Sequence, residues 1–413
     1  MDRFTGSFTQ QEPLPEAAIA RAVEVMRSGR LHRYNTAPGE TAEAALLEQE
    51  FRDYLGSRYC LAVASGGYAL TTALRAVGLE HGEAVLTNAF TLSPVPGAIV
   101  AAGGCPVLVE ITEQLVIDLD DLAVKAKASG ARFLMLSHMR GHVVDMEALL
   151  EHCARLNLTV IEDCAHTMGA AWNGIKSGRH GVVGCFSTQT YKHMNSGEGG
   201  LLVTDDAEVM ARATMLSGSY MLYGRHPAGP PPEAFADIAL DTPNCSGRMD
   251  NLRAAILRPQ LLTLDANCRR WNKRYAAVAD ELAKTPGIVL PVRPVAEQFV
   301  ASSIQFRLPA FSEGAIRHLV AACLARGVEL KWFGANMPVA FTSNHHSWRY
   351  VAQQHLPATD RILSTLLDMR LPLTFTLEDC TAIGRIIGEC VLATPQSMET
   401  AAASPVVSSR EIS

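Results

Sequence analysis

Short hydrophobic blocks alternate with helix-length segments along the first two thirds of the chain. The apolar runs include CLAVA, EAVLTN, RFLMLS and LTVIED, and amphipathic stretches such as YALTTALRAVG lie between them. Apolar runs of this length predict buried strands, and intervening helices predict parallel βαβ units. The pattern therefore predicts an α/β fold with a mainly parallel central sheet sandwiched by helices.

The pattern changes near residue 260, where a long polar helix is predicted around DANCRRWNKRYAAVADELAKT. A strand in SIQFRLP and helices in EGAIRHLVAACLARGV and TLEDCTAIGRIIGECVL follow it, with Thr376 and Asp379 spaced as a capping box. We therefore predict a large domain over residues 36–262 and a smaller α+β C-terminal domain over 263–393.

Two terminal segments flank these domains. Residues 1–35 are predicted to hold a helix with Ile19, Val23 and Met26 on one apolar face, and to pack on the small domain. Residues 394–413 are rich in Ser, Ala and Thr and are predicted to be disordered.

Composition narrows the classes of protein. The 413 residues are 48% hydrophobic and 19% charged, which is typical of a globular protein. The net charge of −6 gives no overall basic character, so we expect no nucleic-acid partner. We expect neither a membrane span nor a secretory signal. The ten cysteines are scattered and predict buried free thiols in the cytoplasm.

Two polar segments are weaker candidates for a site. His345 and His346 have no acidic or Cys partner at ligand spacing, so we expect a solvated loop and no metal. The Pro-rich segment YGRHPAGPPPEAF is either a rigid surface loop or a loop that brings Tyr223, Arg225 or His226 to a substrate.

Stronger candidates follow the predicted strands, where open α/β sheets bind their ligands. Gly66 and Gly67 lie between a strand and a helix, so their N–H groups suit a phosphate, although the pair is also an ordinary turn. Asp163 ends the run LTVIED. A buried carboxylate there needs a partner, and either a protonated pyridine nitrogen or the start of the next helix would provide one.

The segment CFSTQTYKHMNSGEGGLLV places Ser187 at the end of another strand and Lys192 in the following Gly-rich connection. A lone loop lysine is usually solvated. Combined with Asp163, however, the hydroxyl and the amine match what pyridoxal 5′-phosphate requires, because the cofactor binds through its phosphate and forms a Schiff base with lysine.

These motifs resemble the DegT/DnrJ/EryC1/StrS family of PLP-dependent sugar aminotransferases. The resemblance is carried by EDCAHTMGA and FSTQTYKHMNSGEGG, with YLGSRYCLAVASGGYALTTAL, SHMRGHVVDMEAL and GRMDNLRAAIL, and covers residues 13–392. It implies a fold-type-I PLP-dependent transferase. KHMNSGEGG is most similar to the branch acting on cyclitol ketones and to the related aminobenzoate synthases.

The resemblance assigns roles by position. Lys192 matches the lysine that bonds to the cofactor and moves the substrate proton, and Asp163 matches the carboxylate that pairs with the pyridinium nitrogen. His166 matches a residue near the phenolic oxygen.

The remaining positions concern the phosphate. Ser187, Gly66 and Gly67 match phosphate-binding positions. Arg248 matches an arginine that reaches the phosphate in the neighbouring subunit, which implies a homodimer with shared active sites.

Departures from the family pattern surround the same positions. Tyr68 follows Gly67 where the family has Thr-Ala, and Leu92 replaces an aromatic residue over the cofactor ring, unless Phe90 compensates. Arg140 stands where Tyr is common, and Ser246 where Asn is usual. KWFGANMPVAFTSNHHSWRY replaces another family segment.

The expected function is amino transfer from glutamate or glutamine to a ketone acceptor, a keto sugar or cyclitol, in secondary-metabolite or sugar biosynthesis. The retained Lys192 argues against the dehydratase variant of the family, which has His there. Three alternatives stay open: elimination, replacement or cyclisation of an amino-acid substrate on the same scaffold, a PLP-binding regulator without turnover, and an α/β protein without a cofactor.

Overall fold

A computed structural model describes residues 3–398 of the chain. Thirteen strands lie in this range: β1 Tyr59–Val63, β2 Ala84–Asn88, β3 Cys105–Val109, β4 Phe133–Ser137, β5 Thr159–Asp163, β6 Ala171–Trp172, β7 Ile175–Lys176, β8 Val183–Ser187, β9 Gly200–Thr204, β10 Glu297–Gln298, β11 Ser303–Arg307, β12 Lys331–Trp332 and β13 Leu366–Arg370.

The α-helices of the described range are α1 Glu16–Ser28, α2 Glu43–Leu55, α3 Gly66–Ala76, α4 Pro94–Ala101, α5 Leu119–Ser129, α6 Met146–Arg155, α7 Ala207–Ser217, α8 Asn251–Leu261, α9 Leu264–Leu282, α10 Glu313–Ala325, α11 Pro357–Leu363 and α12 Leu377–Ala393. Short 3-10 turns at Met139–Gly141, Tyr220–Arg225, Pro232–Phe235 and His345–Ser347 connect some of them.

The central sheet has seven strands in the order β1-β9-β8-β5-β4-β2-β3. The pairs β8–β5, β5–β4, β4–β2 and β2–β3 are parallel, whereas β9 runs antiparallel to both β1 and β8. Each apolar run that predicts a strand in this half forms one, and the predicted α/β class is confirmed. The carboxyl ends of β4, β5 and β8 meet at one edge, which is where the candidate chemistry lies.

The C-terminal part forms a second sheet, β11-β13-β12, with antiparallel pairing. Its core includes α9, α10 and α12, and the Thr376–Asp379 capping box starts α12 as predicted. Strand β13 was not predicted, because LLDMR has no alternation or flanking turn signal. The division into domains at residue 262 stays a prediction.

The N-terminal segment divides its packing between the two parts of the molecule. Phe4 and Phe8 lie in the core of the C-terminal part, as expected for residues 1–35. Helix α1, however, packs on α8, with Ala18, Ala22 and Val25 buried. The predicted apolar face was wrong: Ile19 and Met26 are 40% and 52% exposed.

At the other end of the chain, residues 394–398 pack against the start of α10. The backbone N–H of Ser312 donates to the carbonyl of Gln396, and Thr394 is buried. The predicted disorder is therefore wrong for these five residues. The rest of the predicted tail lies outside the described residues. Across residues 3–398, no helix has the length and apolarity needed to cross a membrane.

Candidate active site

A cavity of about 420 Å³ opens at the carboxyl edge of the central sheet. Its wall is built from the ends of β5 and β8, the start of α3, the Met139–Gly141 turn and the end of β13. Seven of the eight residues predicted to form the site line it: Gly66, Gly67, Leu92, Asp163, His166, Ser187 and Lys192. The structure therefore brings together residues that lie in four separate segments of the sequence.

Asp163 ends β5 and is only 6% exposed. One carboxylate oxygen accepts a hydrogen bond from Ser137 Oγ (2.9 Å) and the other from the backbone N–H of Ala165 (3.1 Å). Within residues 3–398 the carboxylate forms no salt bridge. A buried carboxylate that lines a cavity and has no salt-bridge partner is ready to pair with a positively charged ligand group.

Lys192 lies in the connection between β8 and β9. Backbone hydrogen bonds from Thr188 to Gly199 and from Thr190 to Gly197 close this connection, so the lysine sits on a fixed loop. Its Nζ lies 2.8 Å from Nε2 of His166. Burial, and next the Arg140 charge, lower the pKa of Lys192 to about 7, although Asp163 opposes the shift.

His166 is buried beside this amine. Burial, reinforced by the charge of Lys192, lowers the pKa of His166 well below its ordinary value. The imidazole is therefore neutral near pH 7, and its Nε2 can accept a hydrogen bond from Nζ of Lys192. Such a lysine is partly unprotonated at neutral pH, as a nucleophilic amine must be.

The start of α3 approaches the end of β8 closely. A Cβ on Gly66 would lie 2.7 Å from Cβ of Ser187, so only glycine lets the two segments meet. A Cβ on Gly67 would meet nothing within 4 Å, because that position faces open space. The first N–H groups of the helix have no intrahelical acceptor, and together with the Ser187 hydroxyl they form a cradle for an anion.

The residues present fit pyridoxal phosphate by these observations. The amine of Lys192, the unpaired carboxylate of Asp163 and the cradle at Gly66 and Ser187 supply the three kinds of group that its aldehyde, ring nitrogen and phosphate require. Leu92 lines the same cavity, and its contact with the cofactor ring stays a prediction.

Three residues named in the sequence prediction do not line this cavity, and the predicted contact of Arg248 with a neighbouring subunit stays a prediction. Arg248 lies outside this cavity, and its Nη1 donates to the carbonyl of Gly218 (2.8 Å). Phe90 is buried against Phe333 with ring centroids 5.1 Å apart and does not line the cavity, so it does not compensate for Leu92. Tyr68 turns away from the cavity and donates from its hydroxyl to the carbonyl of Leu216 (2.9 Å).

The Pro-rich loop also lies away from the cavity. None of Tyr223, Arg225 and His226 lines it. His226 is buried, with Nε2 2.7 Å from the Tyr34 hydroxyl and Nδ1 3.1 Å from Arg33 Nη2. This side chain therefore belongs to a buried polar network.

The adjacent histidines have an acidic partner that the sequence spacing did not reveal. His345 and His346 place Nε2 2.7 and 2.8 Å from the same Oδ1 of Asp360. His345 is 2% exposed, so the expectation of a solvated loop is wrong for it. The expected absence of a metal stays a prediction.

A cationic part of the cavity wall was not predicted from the sequence. Arg370, at the end of β13, lines the cavity, and its guanidinium carbon lies 3.6 Å from the ring centroid of Tyr191. Phe341, from the segment that departs from the family, lies nearby with its ring centroid 6.2 Å from that of Tyr191. A correct assignment of LLDMR as a strand ending at the cavity would have revealed Arg370.

Arg140 occupies the same wall in an unusual backbone conformation. Its φ of 57° lies in the left-handed region, which costs a non-glycine residue about 1–2 kcal/mol. Its Nη2 forms an ion pair with Oδ2 of Asp368 (2.8 Å). Asp368 is fully buried, and its other oxygen, Oδ1, accepts a hydrogen bond from Gln305 Nε2 (2.7 Å). The position was noted in the sequence as a departure from Tyr, without a role.

The sequence is similar to those of known aminotransferases. It is 32% identical over 277 residues to L-glutamine:scyllo-inosose aminotransferase of Streptomyces griseus, covering 65% of this chain and 63% of the relative. It is 36% identical to dTDP-3-amino-3,4,6-trideoxy-alpha-D-glucose transaminase of Streptomyces venezuelae, covering 67% of each chain. The chain thus spans less than two thirds of the length of the first relative.

Solved structures share the fold. 3-Amino-5-hydroxybenzoic acid synthase superposes with a TM-score of 0.77 at 24% identity, covering 94% of this chain and 100% of that one. An aminotransferase from Psychrobacter cryohalolentis superposes with a TM-score of 0.80 at 19% identity, with the same coverage. The model of the DegT/DnrJ/EryC1/StrS aminotransferase family matches residues 14–387, and the chain therefore belongs to that family, whose members are PLP enzymes.

Proposed function

We propose that this protein is a PLP-dependent aminotransferase that moves an amino group from glutamine or glutamate to a ketone acceptor, a keto sugar or cyclitol, in biosynthesis. The observation that carries the proposal is the buried Lys192 amine, whose pKa is about 7, in one cavity with the unpaired Asp163 carboxylate. The names of the relatives support the donor and the class of acceptor.

The proposed roles follow from the geometry. Bound pyridoxal phosphate supplies an electron sink for the carbon that loses its proton. Asp163 holds a positive charge at the ring nitrogen, and the α3 amides with Ser187 anchor the phosphate. Lys192 Nζ moves the proton, as a base with a pKa near the working pH does efficiently. Neutral His166 orients that amine through its 2.8 Å contact.

The decisive experiment follows the cofactor spectrum. Purified protein loaded with pyridoxal phosphate should absorb in the visible through its bond to Lys192, and L-glutamine or L-glutamate alone should convert it to the aminated form. Lys192→Ala should lose the visible band, whereas Lys284→Ala, on an exposed helix end, should keep it. An unchanged band in Lys192→Ala would refute the lysine assignment.

The same experiment separates the alternatives. Release of pyruvate or ammonia from an amino acid, without an aminated cofactor, would favour elimination over amino transfer. Absence of any bound cofactor would refute the PLP-enzyme proposal.

The proposal includes a homodimer with shared active sites, working in the cytoplasm. Arg248 lies outside its own cavity, and Ile19 and Met26 on α1 expose an apolar face, so a second copy would explain both. All ten cysteines are free, which fits a reducing compartment.

Mixing tests the shared site. The Lys192→Ala protein and the Arg248→Ala protein should each be inactive alone. Part of the activity should return when the two are refolded together, because one of the two sites in the mixed dimer then has both residues. A monomer by light scattering, or no recovery on mixing, would refute it.

A further inference from the structure

We propose that Arg140 and Arg370 form an anion-binding subsite, called here the Arg140–Arg370 subsite, that selects a ketone acceptor bearing a carboxylate. The inference rests on the proposed aminotransferase function and narrows its substrate class. Both arginines line the cavity that holds Lys192 and Asp163, and they lie close enough to each other to interact electrostatically.

The wall carries more positive charge than its own carboxylate neutralises. Asp368 Oδ2 lies 2.8 Å from Nη2 of Arg140 and 3.9 Å from Nζ of Lys331. Within residues 3–398, Asp368 is the only carboxylate within 4 Å of either cation, and Arg370 forms no salt bridge. Three cations therefore share one buried carboxylate, and the surplus charge faces a cavity large enough for a small ligand.

Two buried nitrogen atoms near Asp368 also lack hydrogen-bond acceptors, one on Arg140 in the cavity wall and one on Lys331, which does not line the cavity. Nε of Arg140 and Nζ of Lys331 are inaccessible and have no hydrogen-bond acceptor among the described residues. A buried donor without a partner costs about 1–3 kcal/mol. A carboxylate entering the cavity at Arg140 would offset the surplus charge around these donors and add charge-assisted hydrogen bonds.

Arg370 is held in a fixed plane for such a contact. Its guanidinium carbon lies 3.6 Å from the centroid of the Tyr191 ring and 6.0 Å from that of Phe341. Stacking on one face leaves the edge of a guanidinium free for a bidentate pair with a carboxylate, a geometry that lysine cannot offer. The two arginines approach the cavity from different parts of the fold, the Met139–Gly141 turn and the end of β13.

The anion assigned to the subsite belongs to the acceptor. The names of the relatives refer to different cyclitols and sugars. Arg140 lies in a turn and holds a left-handed backbone conformation, which glycine or asparagine would adopt at lower cost. A side chain in a turn fits the substrate that differs among relatives, because turns can change without disturbing the core.

The test separates the two half-reactions. The enzyme is aminated with L-glutamine, freed of donor, and mixed with either 3-oxocyclohexanecarboxylate or 3-oxocyclohexanecarboxamide, which differ only in charge. The wild type should react with the carboxylate about 30-fold faster or more in kcat/KM, as expected for a buried charge pair. Equal rates with both ketones would overturn the inference.

Variants identify the residues. Arg370→Gln should reduce the preference for the carboxylate over the carboxamide to less than about threefold. The double variant Arg140→Tyr/Asp368→Asn should do the same, and it leaves no unpaired charge on Asp368. Arg155→Gln, which loses only an exposed ion pair on α6, should keep it. If Arg370→Gln slows the glutamine step as much as the carboxylate step, the subsite binds the donor and the inference is wrong.

Binding gives a readout that does not need turnover. Cyclohexanecarboxylate should bind to the cofactor-loaded wild type at least tenfold tighter than cyclohexanecarboxamide by calorimetry, about 1.4 kcal/mol, and Arg370→Gln should remove the difference. If glutamine fails to aminate the cofactor, the proposed function fails, and this comparison alone decides the subsite. Equal affinities would then overturn it.

Discussion

The two walls of the cavity differ in how the sequence encodes them. One wall holds Asp163, Ser187 and Gly66, the residues proposed to bind the cofactor, and is called here the cofactor wall. Asp163 and Ser187 are the last residues of β5 and β8, and Gly66 is the first residue of α3. The other wall holds the proposed Arg140–Arg370 subsite together with Phe341 and is called here the substrate wall. Arg140 lies in a strained turn, and Arg370 and Phe341 come from segments far along the chain. The residues of the cofactor wall lie at strand ends, where open α/β sheets bind their ligands, whereas those of the substrate wall depend on individual loops and turns.

This difference separates two tasks. Chemistry common to a family is fixed at strand ends, where hydrophobic cores on both sides hold the backbone. Recognition of one acceptor needs only changes in turns, loops and edge strands, which the core does not constrain. Substitutions on the cofactor wall should therefore lower kcat for every substrate, and those on the substrate wall should change the choice of acceptor.

Asp163→Asn should give the largest effect of the tests that compare these walls. The amide keeps the size of the side chain and removes the charge opposite the ring nitrogen, so kcat should fall on the order of 10²–10³-fold for all acceptors. Steady-state kinetics with two unrelated ketones would show equal losses. Ser137→Ala, which removes only a hydrogen bond to this carboxylate, should cost less. Activity within threefold of the wild type would contradict the assignment.

Phe341→Ala tests the substrate wall and should weaken binding of the acceptor. Loss of an apolar side chain from the cavity is expected to raise KM for the acceptor about tenfold, with kcat for amination by glutamine little changed. Stopped-flow measurement of each half-reaction would separate the two steps. Equal slowing of both half-reactions would mean that Phe341 belongs to the machinery shared by donor and acceptor.

A matched pair of glycine variants tests the cradle. Gly66→Ala should destabilise the fold by about 1–3 kcal/mol, because its Cβ would lie 2.7 Å from Cβ of Ser187. Gly67→Ala meets nothing within 4 Å, so its melting temperature should match the wild type and any loss of cofactor affinity should report the cavity itself. Thermal unfolding without cofactor measures the first effect, and cofactor titration the second. Equal melting temperatures for the two variants would refute the close contact.

The last test concerns the pH dependence of stability. In the folded protein without cofactor the pKa of Lys192 is about 7, whereas in the unfolded chain it is about 10.4. Between these values the unfolded chain binds a proton that the folded chain lacks, so this lysine makes stability rise with pH in that window. Lys192→Met should therefore unfold at a higher temperature than the wild type at pH 7.

The difference between these two proteins should shrink as the pH approaches 10, measured by thermal unfolding after removal of cofactor. A constant difference across this range would mean that the lysine amine is not desolvated. Lys284→Met, at an exposed position, should show no such trend.

The strands of the central sheet and the residues at their ends could be predicted because apolar runs flanked by turn residues define where each strand stops. Lys192 also followed, since it lies beside a Gly-rich turn just after the strand that ends at Ser187. The Ile19 and Met26 face could not be judged, because a helix with Ala on one side and large apolar residues on another can bury either. His226 and Asp360 were missed because their partners are distant in sequence.

The buried pair of Arg140 and Asp368 has a consequence for how such enzymes diverge. Replacing either residue alone strands a charge in the interior, which is more costly than never having had the pair. The two positions, one in each part of the chain, must therefore change together, and descendants should carry either both charges or neither. A search for this coupled pattern among relatives would sort them by acceptor more cleanly than overall sequence identity does.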